Sequence, residues 1–342
     1  MSFQARAKPV ITPHLPQEVV QRIFSLRLFA GDGDLVLSLK DRALEDLFLY
    51  GESLVLLDSL ATLYLFPGLT RLCLKCAERD GVLDLAILEP LTALRQLECS
   101  RWQHVNLWGT TQLLRQLTSL ELSSCGSAAV DAELPSLREL LMHTADAVWL
   151  TGEHLRLPQL TQLGLEHIGV VAVQWAAVPQ LEALSTVDCP ILNTDTLAPL
   201  GHLTSLCVGP DWQTDSSFKT ANEVLQAAPP SVQRLRIKSF SERWLPPKLL
   251  QRLSQLTSLT CDRLAIIPQL GALPRLQHLE IESHSVAALT LEHAEWLSGM
   301  TSLRRLCSIG HLEMKGGAGL RRVQALRKLL PVDCTLEQPM LE

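Results

Sequence analysis

Leu117-Thr118-Ser119-Leu120-Glu121-Leu122-Ser123 is the stretch on which the fold turns. Side chains alternate along a strand, so Leu120 and Leu122 point to one side while Ser119, Glu121 and Ser123 point to the other. Leu117 adds a third inward residue from the turn into the strand. The phrase Leu-x-x-Leu-x-Leu, with other apolar or small residues allowed, recurs from Leu44, Leu69, Leu94, Leu117, Leu137, Leu160, Leu181, Leu203, Val232, Leu256, Leu276, Leu303 and Leu326. These 13 starts lie 20 to 29 residues apart, with a mean of 23.5. A period of that length marks a chain assembled from stacked supersecondary units.

Most units carry a fourth apolar residue three places before the phrase, as at Phe66, Leu91, Leu114, Leu134, Leu157, Val178, Leu200, Leu253, Leu273, Met300 and Val323. Burying about four aliphatic side chains at ~1.5 to 3 kcal/mol each does not offset the ordering entropy of a lone unit. A stack succeeds because each unit covers the open face of the next. Proline stands two residues before the phrase at Pro67, Pro135, Pro158, Pro179, Pro230 and Pro274. Lacking an N–H and fixed in φ, it marks the corner where the chain turns into the strand. The return segments differ. Thr194 to Leu203, Asn222 to Ala228 and His293 to Met300 have helical spacing, whereas the 20-residue units from Leu117 and Leu256 leave room only for a 3₁₀ turn or extended chain.

The chain has 342 residues, 47% apolar, 19% charged and only 5% aromatic, so the core is aliphatic and the composition is not that of a disordered chain. No stretch free of Asp, Glu, Lys and Arg exceeds 15 residues, short of the ~20 needed to cross a bilayer. Met1 to Val10 is polar, with no apolar signal segment. A soluble, cytoplasmic or nuclear protein is expected, with no membrane partner. The net charge of −6 is the wrong sign for neutralising phosphate backbones, so no nucleic acid is expected either. Nine cysteines without a signal segment point to free, mostly buried thiols. Cys73 and Cys76 form a lone Cys-x-x-Cys, which without a second pair is no zinc signature. The glycines of Gly31-Asp32-Gly33 and Lys315 to Gly319 do not continue into phosphate-binding motifs, and there is no Gly-x-Ser-x-Gly elbow. Neither a catalytic activity nor a cofactor is expected.

With its periodic Leu-x-x-Leu-x-Leu phrase, the chain resembles the leucine-rich repeat superfamily. Leu181-Glu-Ala-Leu184-Ser-Thr-Val-Asp-Cys189-Pro-Ile-Leu-Asn-Thr-Asp195-Thr-Leu197 resembles the cysteine-containing kind often found in F-box proteins, with strand, buried cysteine and helix start in order. Leu117 to Cys125 and Leu326 to Cys334 repeat the Leu-to-Cys spacing, while Trp102, Ala145, Ile168 and Asp211 occupy the cysteine's place elsewhere. An asparagine ladder is absent, since the only asparagines are Asn106, Asn193 and Asn222. The resemblance implies an α/β repeat solenoid: a horseshoe of about 13 repeats over 41–342, with a parallel sheet on the concave face and short helices, 3₁₀ turns or loops on the convex one.

Leu15-Pro16-Gln17-Glu18-Val19-Val20-Gln21-Arg22-Ile23-Phe24-Ser25-Leu26 resembles the first helix of an F-box, whose family role is to dock onto the Skp-type linker of cullin ubiquitin ligases. In that reading Leu15, Pro16, Val19, Val20, Ile23 and Phe24 are the docking residues. Gly31 to Leu39 departs from the second half of an F-box. A helical cap over the first repeat is the alternative reading of 1–40, because solenoids must cover their exposed ends.

Outward strand positions follow by alternation, and the charged or aromatic ones are the candidate partner-binding residues: Phe48, Tyr50, Glu98, Glu121, Glu139, Glu166, Arg234, Arg236 and Lys238. Four consecutive repeats contribute Glu98, Glu121, Glu139 and Glu166 without a basic strand residue, and the repeat at Val232 contributes three cations. Such segregation suits a polar protein or peptide partner engaged at separate acidic and basic points. A chain of this kind is expected to be a monomer by itself and to act as a non-catalytic interaction module, and the F-box resemblance implies the substrate-binding part of a ubiquitin-ligase adaptor. A regulatory scaffold of the small-GTPase or cytoskeletal type and a purely structural repeat protein are the alternatives.

Overall fold

The computed structural model describes residues 25–29, 45–52, 66–88, 90–109, 114–194, 197, 200–209, 215–238, 252–261, 270, 273–282, 297, 299–308 and 334–337. Each recurrence of the leucine phrase from Leu44 to Leu303 becomes a parallel strand that begins two residues after its first apolar residue. In chain order these are β2 (Asp46–Gly51), β3 (Arg71–Asp84), β4 (Gln96–Gly109), β5 (Ser119–Ser123), β7 (Glu139–Ala145), β9 (Gln162–Ile168), β11 (Ala183–Val187), β12 (Ser205–Gly209), β13 (Arg234–Ile237), β14 (Ser258–Cys261), β15 (His278–Ile281) and β16 (Arg305–Ser308). Each pairs in parallel with the next. Together with β1 (Ser25–Phe29) ahead of β2 and β17 (Thr335–Glu337) after β16, they form a first ribbon. The fold is the leucine-rich parallel solenoid that the sequence implies.

Strand alternation is as the leucine phrase requires. In β5, Leu120 and Leu122 are buried and Ser119, Glu121 and Ser123 are half-buried. Leu97, Leu120, Leu140, Leu163, Leu184 and Leu206 then follow one another in register as one row of the core. The residue three places before the phrase is buried too, and its carbonyl accepts the N–H of the first leucine, as in Leu117 N to Leu114 O at 3.0 Å. That closed turn recurs from Phe66 to Met300. The six prolines occupy its second position, where a fixed φ is already correct.

A threonine ladder runs along the residue that follows the first leucine of the phrase. Thr70, Thr118, Thr161, Thr204 and Thr257 follow the first leucine of their units, and each hydroxyl donates to a backbone carbonyl of the preceding unit at 3.0 to 3.4 Å. These bonds stitch unit to unit, which is where a solenoid's stability resides.

The ends and the return segments differ from expectation. β1 lies inside the 1–40 segment read as a cap or F-box-like unit, and the rest of that segment falls outside the described residues. The last strand is not at the phrase beginning at Leu326: Arg305 pairs with Thr335, so β17 comes seven residues later than that phrase places it. The α-helix with described bounds is α1 (Asp215–Ala227), which covers most of the expected 222–228 helix and begins earlier. In 194–203 the described backbone bonds reach three residues back (Leu197 to Thr194, Leu200 to Leu197, Leu203 to Leu200), giving consecutive tight turns. The 293–300 helix lies mostly outside the described residues.

Between residues 80 and 173 the return path is itself a sheet. β6 (Ser127–Ala132), β8 (Ala147–Leu150) and β10 (Val171–Val173) stack with the distal halves of β3 and β4 into a second parallel ribbon. The chain passes between ribbons at a corner where one residue takes a left-handed φ: Arg101, Ser124, Thr144, His167 and Asp188, between 54° and 65°. The next residue points into the core, so Trp102, Cys125, Ala145, Ile168 and Cys189 form one buried column. Corners approach closely, and a Cβ at Gly126 would collide with the Gln103 carbonyl oxygen.

Candidate functional site

The solvent face of the first ribbon presents three rows of side chains set by strand register. The middle row runs Phe48, Cys73, Glu98, Glu121, Leu141, Gly164, Ser185, Cys207, Arg236, Thr260, Glu280 and Cys307. Glu98 and Glu121 therefore face each other on neighbouring strands, both half-buried. Neither has an ion-pair partner among the described residues. Phe48 lies beside Cys73 in this row, and Tyr50 lies beside Lys75 in the parallel row at the strand ends.

Glu139 and Glu166 sit apart from that pair. Glu139 lies in the row nearest the strand starts, where its Oε2 accepts the Ser119 hydroxyl at 2.9 Å. Glu166 lies in the row at the strand ends, in register with His143, whose Nδ1 is 3.7 Å away. Its Oε1 also accepts from Ser185 Oγ at 3.1 Å and sits 3.6 Å from Lys238 Nζ. Between Glu166 and Lys238 the row holds only Val187 and Gly209, and a Cβ at Gly209 would fall 2.9 Å from that of Lys238. The glycine lets the lysine reach across.

The acidic and basic sets that the sequence order separates are thus joined at Glu166 and Lys238. Arg236 is also engaged: its Nη2 lies 2.6 and 2.8 Å from the two oxygens of Glu282. Arg234 stays exposed at the start of β13. Further along, Ser258, His278, Leu279, Glu280, Arg305 and Cys307 line a cleft of about 330 Å³, with Glu280 held by the Thr260 hydroxyl at 3.1 Å.

Burial controls the thiols. It pushes Cys73 up to about 12, with Glu98 beside it adding to the shift, and it pushes Cys125 up to about 11 and Cys189 up to about 12. Such thiols are protonated and unreactive near neutrality. Cys76 Sγ donates to Asp80 Oδ1 at 3.2 Å, and among the described residues no group of three or more His, Cys, Asp or Glu is arranged to hold a metal. No helix among them is long and apolar enough to cross a membrane. The proposed docking residues Leu15, Pro16, Val19, Val20, Ile23 and Phe24 lie outside the described residues.

Reasoning from the leucine phrase misses the solvent face of the second ribbon, where Trp108 and Trp149 are 54% and 41% exposed. The signal is present in the sequence: Val105-x-Leu107, Ala128-x-Val130, Val148-x-Leu150 and Val171-x-Val173 recur at the repeat period with these tryptophans on the opposite side.

No protein-family model matches the chain, and no curated protein matches it by sequence. Among solved structures, an internalin (inlF) from Listeria monocytogenes is similar at 16% identity and a TM-score of 0.44, over 96% of this chain and 90% of that one. Internalin C2 from the same species gives 14% identity and a TM-score of 0.31, over 81% and 91%. The leucine-rich repeat-containing protein LegL7 from Legionella pneumophila gives 12% identity and a TM-score of 0.33, over 92% and 83%.

Proposed function

We propose that the chain is a non-catalytic interaction module whose partner, a basic and polar protein segment, binds the solvent face of the first ribbon at Glu98 and Glu121. One observation carries this reading. The two carboxylates stand directly opposite each other on adjacent strands with no ion-paired cation among the described residues, whereas Glu166, Arg236 and Lys238 are matched within the chain. Like charges in register cost stability, and packing does not require them, since both point away from the core. A partner that brings a cation between them turns that cost into affinity and specificity.

Affinity purification with the wild type and with Glu98→Lys/Glu121→Lys side by side tests the reading. The expected result is a specific partner lost from the reversed chain at unchanged Tm. Equal capture by both would refute it. The finer adaptor role rests on the resemblance of Leu15 to Leu26 to an F-box helix. It requires co-purification of the Skp-type linker with the full chain and loss of that linker when residues 1–24 are removed. Without that association, the regulatory-scaffold reading takes its place, and a chain that captures no specific partner is a structural repeat protein.

A further inference from the structure

The second ribbon carries side chains that folding does not explain. Its inward positions, Val105, Leu107, Val148 and Leu150 among them, are buried as a strand of the core should be. Its outward positions hold large apolar groups in the open: Val82 at 49% exposure, Trp108 at 54% and Trp149 at 41%, with Val170 at 37% and Leu192 at 69% just beyond the strands. The equivalent positions of the first ribbon are largely polar. A contiguous exposed apolar patch rimmed by polar residues is the usual mark of an interaction surface.

Register gives the patch a shape. Trp149 lies beside Ala129 on one side and Ala172 on the other. Ala129 in turn neighbours Asn106, two residues before Trp108. The two indoles are therefore two strands and one outward step apart, roughly 12 Å, from a strand spacing of ~4.8 Å and a rise of ~3.3 Å per residue. Trp108 stands directly in register with Asp131, so Ala129 and Asp131 on the intervening strand lie between the two indoles. Tryptophans placed in this way are the side chains that most often dominate a protein interface.

Charge selects the occupant. Asp84, Asp131, Glu133 and Glu153 lie on or just beyond these strands, and two of them accept backbone N–H groups, Asp131 from His154 at 2.8 Å and Asp84 from Ala86 at 3.0 Å. Among the described residues none of these four carboxylates is in an ion pair. Arg79 pairs with Asp146 at 3.0 Å, and Arg156, in register with Glu133, donates Nη1 to the Leu155 carbonyl at 2.7 Å, so the four carboxylates outnumber the cation beside them. We infer that the solvent face of the second ribbon is a separate docking surface for a basic amphipathic protein segment, its apolar side chains between Trp108 and Trp149 and its lysines or arginines against the carboxylate rim. Cations also favour the faces of exposed indoles, which strengthens the same choice.

The probe is a labelled synthetic peptide in which lysine and leucine alternate, titrated into the full chain and followed by fluorescence anisotropy. The expected result is saturable binding that weakens at least tenfold in Trp108→Ala/Trp149→Ala at unchanged far-UV circular dichroism. Binding should weaken at least tenfold also in Glu133→Lys/Glu153→Lys, which alters no buried side chain and keeps the test valid if the tryptophan variant fails to fold. Glu98→Lys/Glu121→Lys should bind as the wild type does, which separates this surface from the one on the first ribbon. Equal affinity of wild type and both second-ribbon variants would overturn the inference. So would equal binding of a lysine–serine peptide, or binding lost only in the first-ribbon variant. A soluble β-glucan that binds at the tryptophans where the peptide does not would reassign the surface to glycans.

Discussion

Leu120 and Glu121 are adjacent in one strand, yet their truncation to alanine should differ by several kcal/mol. Leu120 is fully buried and stacked in register between Leu97 and Leu140. Leu120→Ala removes three carbon atoms, about 2.4 kcal/mol at ~0.8 kcal/mol each, and leaves a void that leucines fixed in their own strands cannot collapse to fill. The expected loss is about 3 to 4 kcal/mol. Glu121 is half-buried on the outward side with no ion-pair partner among the described residues, so Glu121→Ala should change stability by no more than about 0.5 kcal/mol. Urea titrations followed by far-UV circular dichroism give both values, and a fall in m for Leu120→Ala would further show the stack splitting into separately melting parts. If Leu120→Ala cost less than about 1 kcal/mol, or if the two substitutions cost the same, the inward and outward assignment would be wrong.

Thr144 is β-branched and exposed at φ 56°, so Thr144→Gly should raise stability by about 0.5 to 1 kcal/mol, and a lower urea midpoint would deny the corner strain. Gly126→Ala should cost about 1 to 3 kcal/mol because its Cβ meets the Gln103 carbonyl oxygen, a backbone atom that cannot swing aside. The folded chain holds the Cys125 proton up to about 11 and the Cys189 proton up to about 12, whereas the unfolded chain releases them near the ordinary value of 9.0. These groups therefore leave stability unchanged below that value and lower it as pH rises through the interval above it. A Cys125→Ala/Cys189→Ala chain should lose less stability over that interval than the wild type, and identical pH profiles would contradict the linkage.

The first ribbon is legible because its signal is redundant: three leucines, a preceding apolar residue and often a proline repeat in every unit. The second ribbon is carried by Ala128, Val130, Val148 and Val171, smaller residues whose two-residue alternation is brief and falls outside the leucine phrase. The column from Trp102 to Cys189 looks irregular in sequence because tryptophan, cysteine, alanine and isoleucine share it; a corner holds whatever volume its neighbours leave. Left-handed corners at Arg101, Thr144 and His167 have no glycine or asparagine to announce them. At the candidate site, alternation gives the direction of every side chain but not who meets whom. The Glu166 and Lys238 contact spans two intervening strands and depends on Gly209 being small.

The claim beneath all of this is that one parallel unit follows another along a single axis. Spin labels on non-natural amino acids at the exposed strand starts Arg71, Arg234 and Arg305 test it through pairwise distances. Arg234 is seven strands from Arg71 and Arg305 is ten, so the account predicts separations of roughly 34 and 48 Å, shortened by any curvature but growing with strand number. Two distances of equal length, or a shorter one to Arg305, would contradict it.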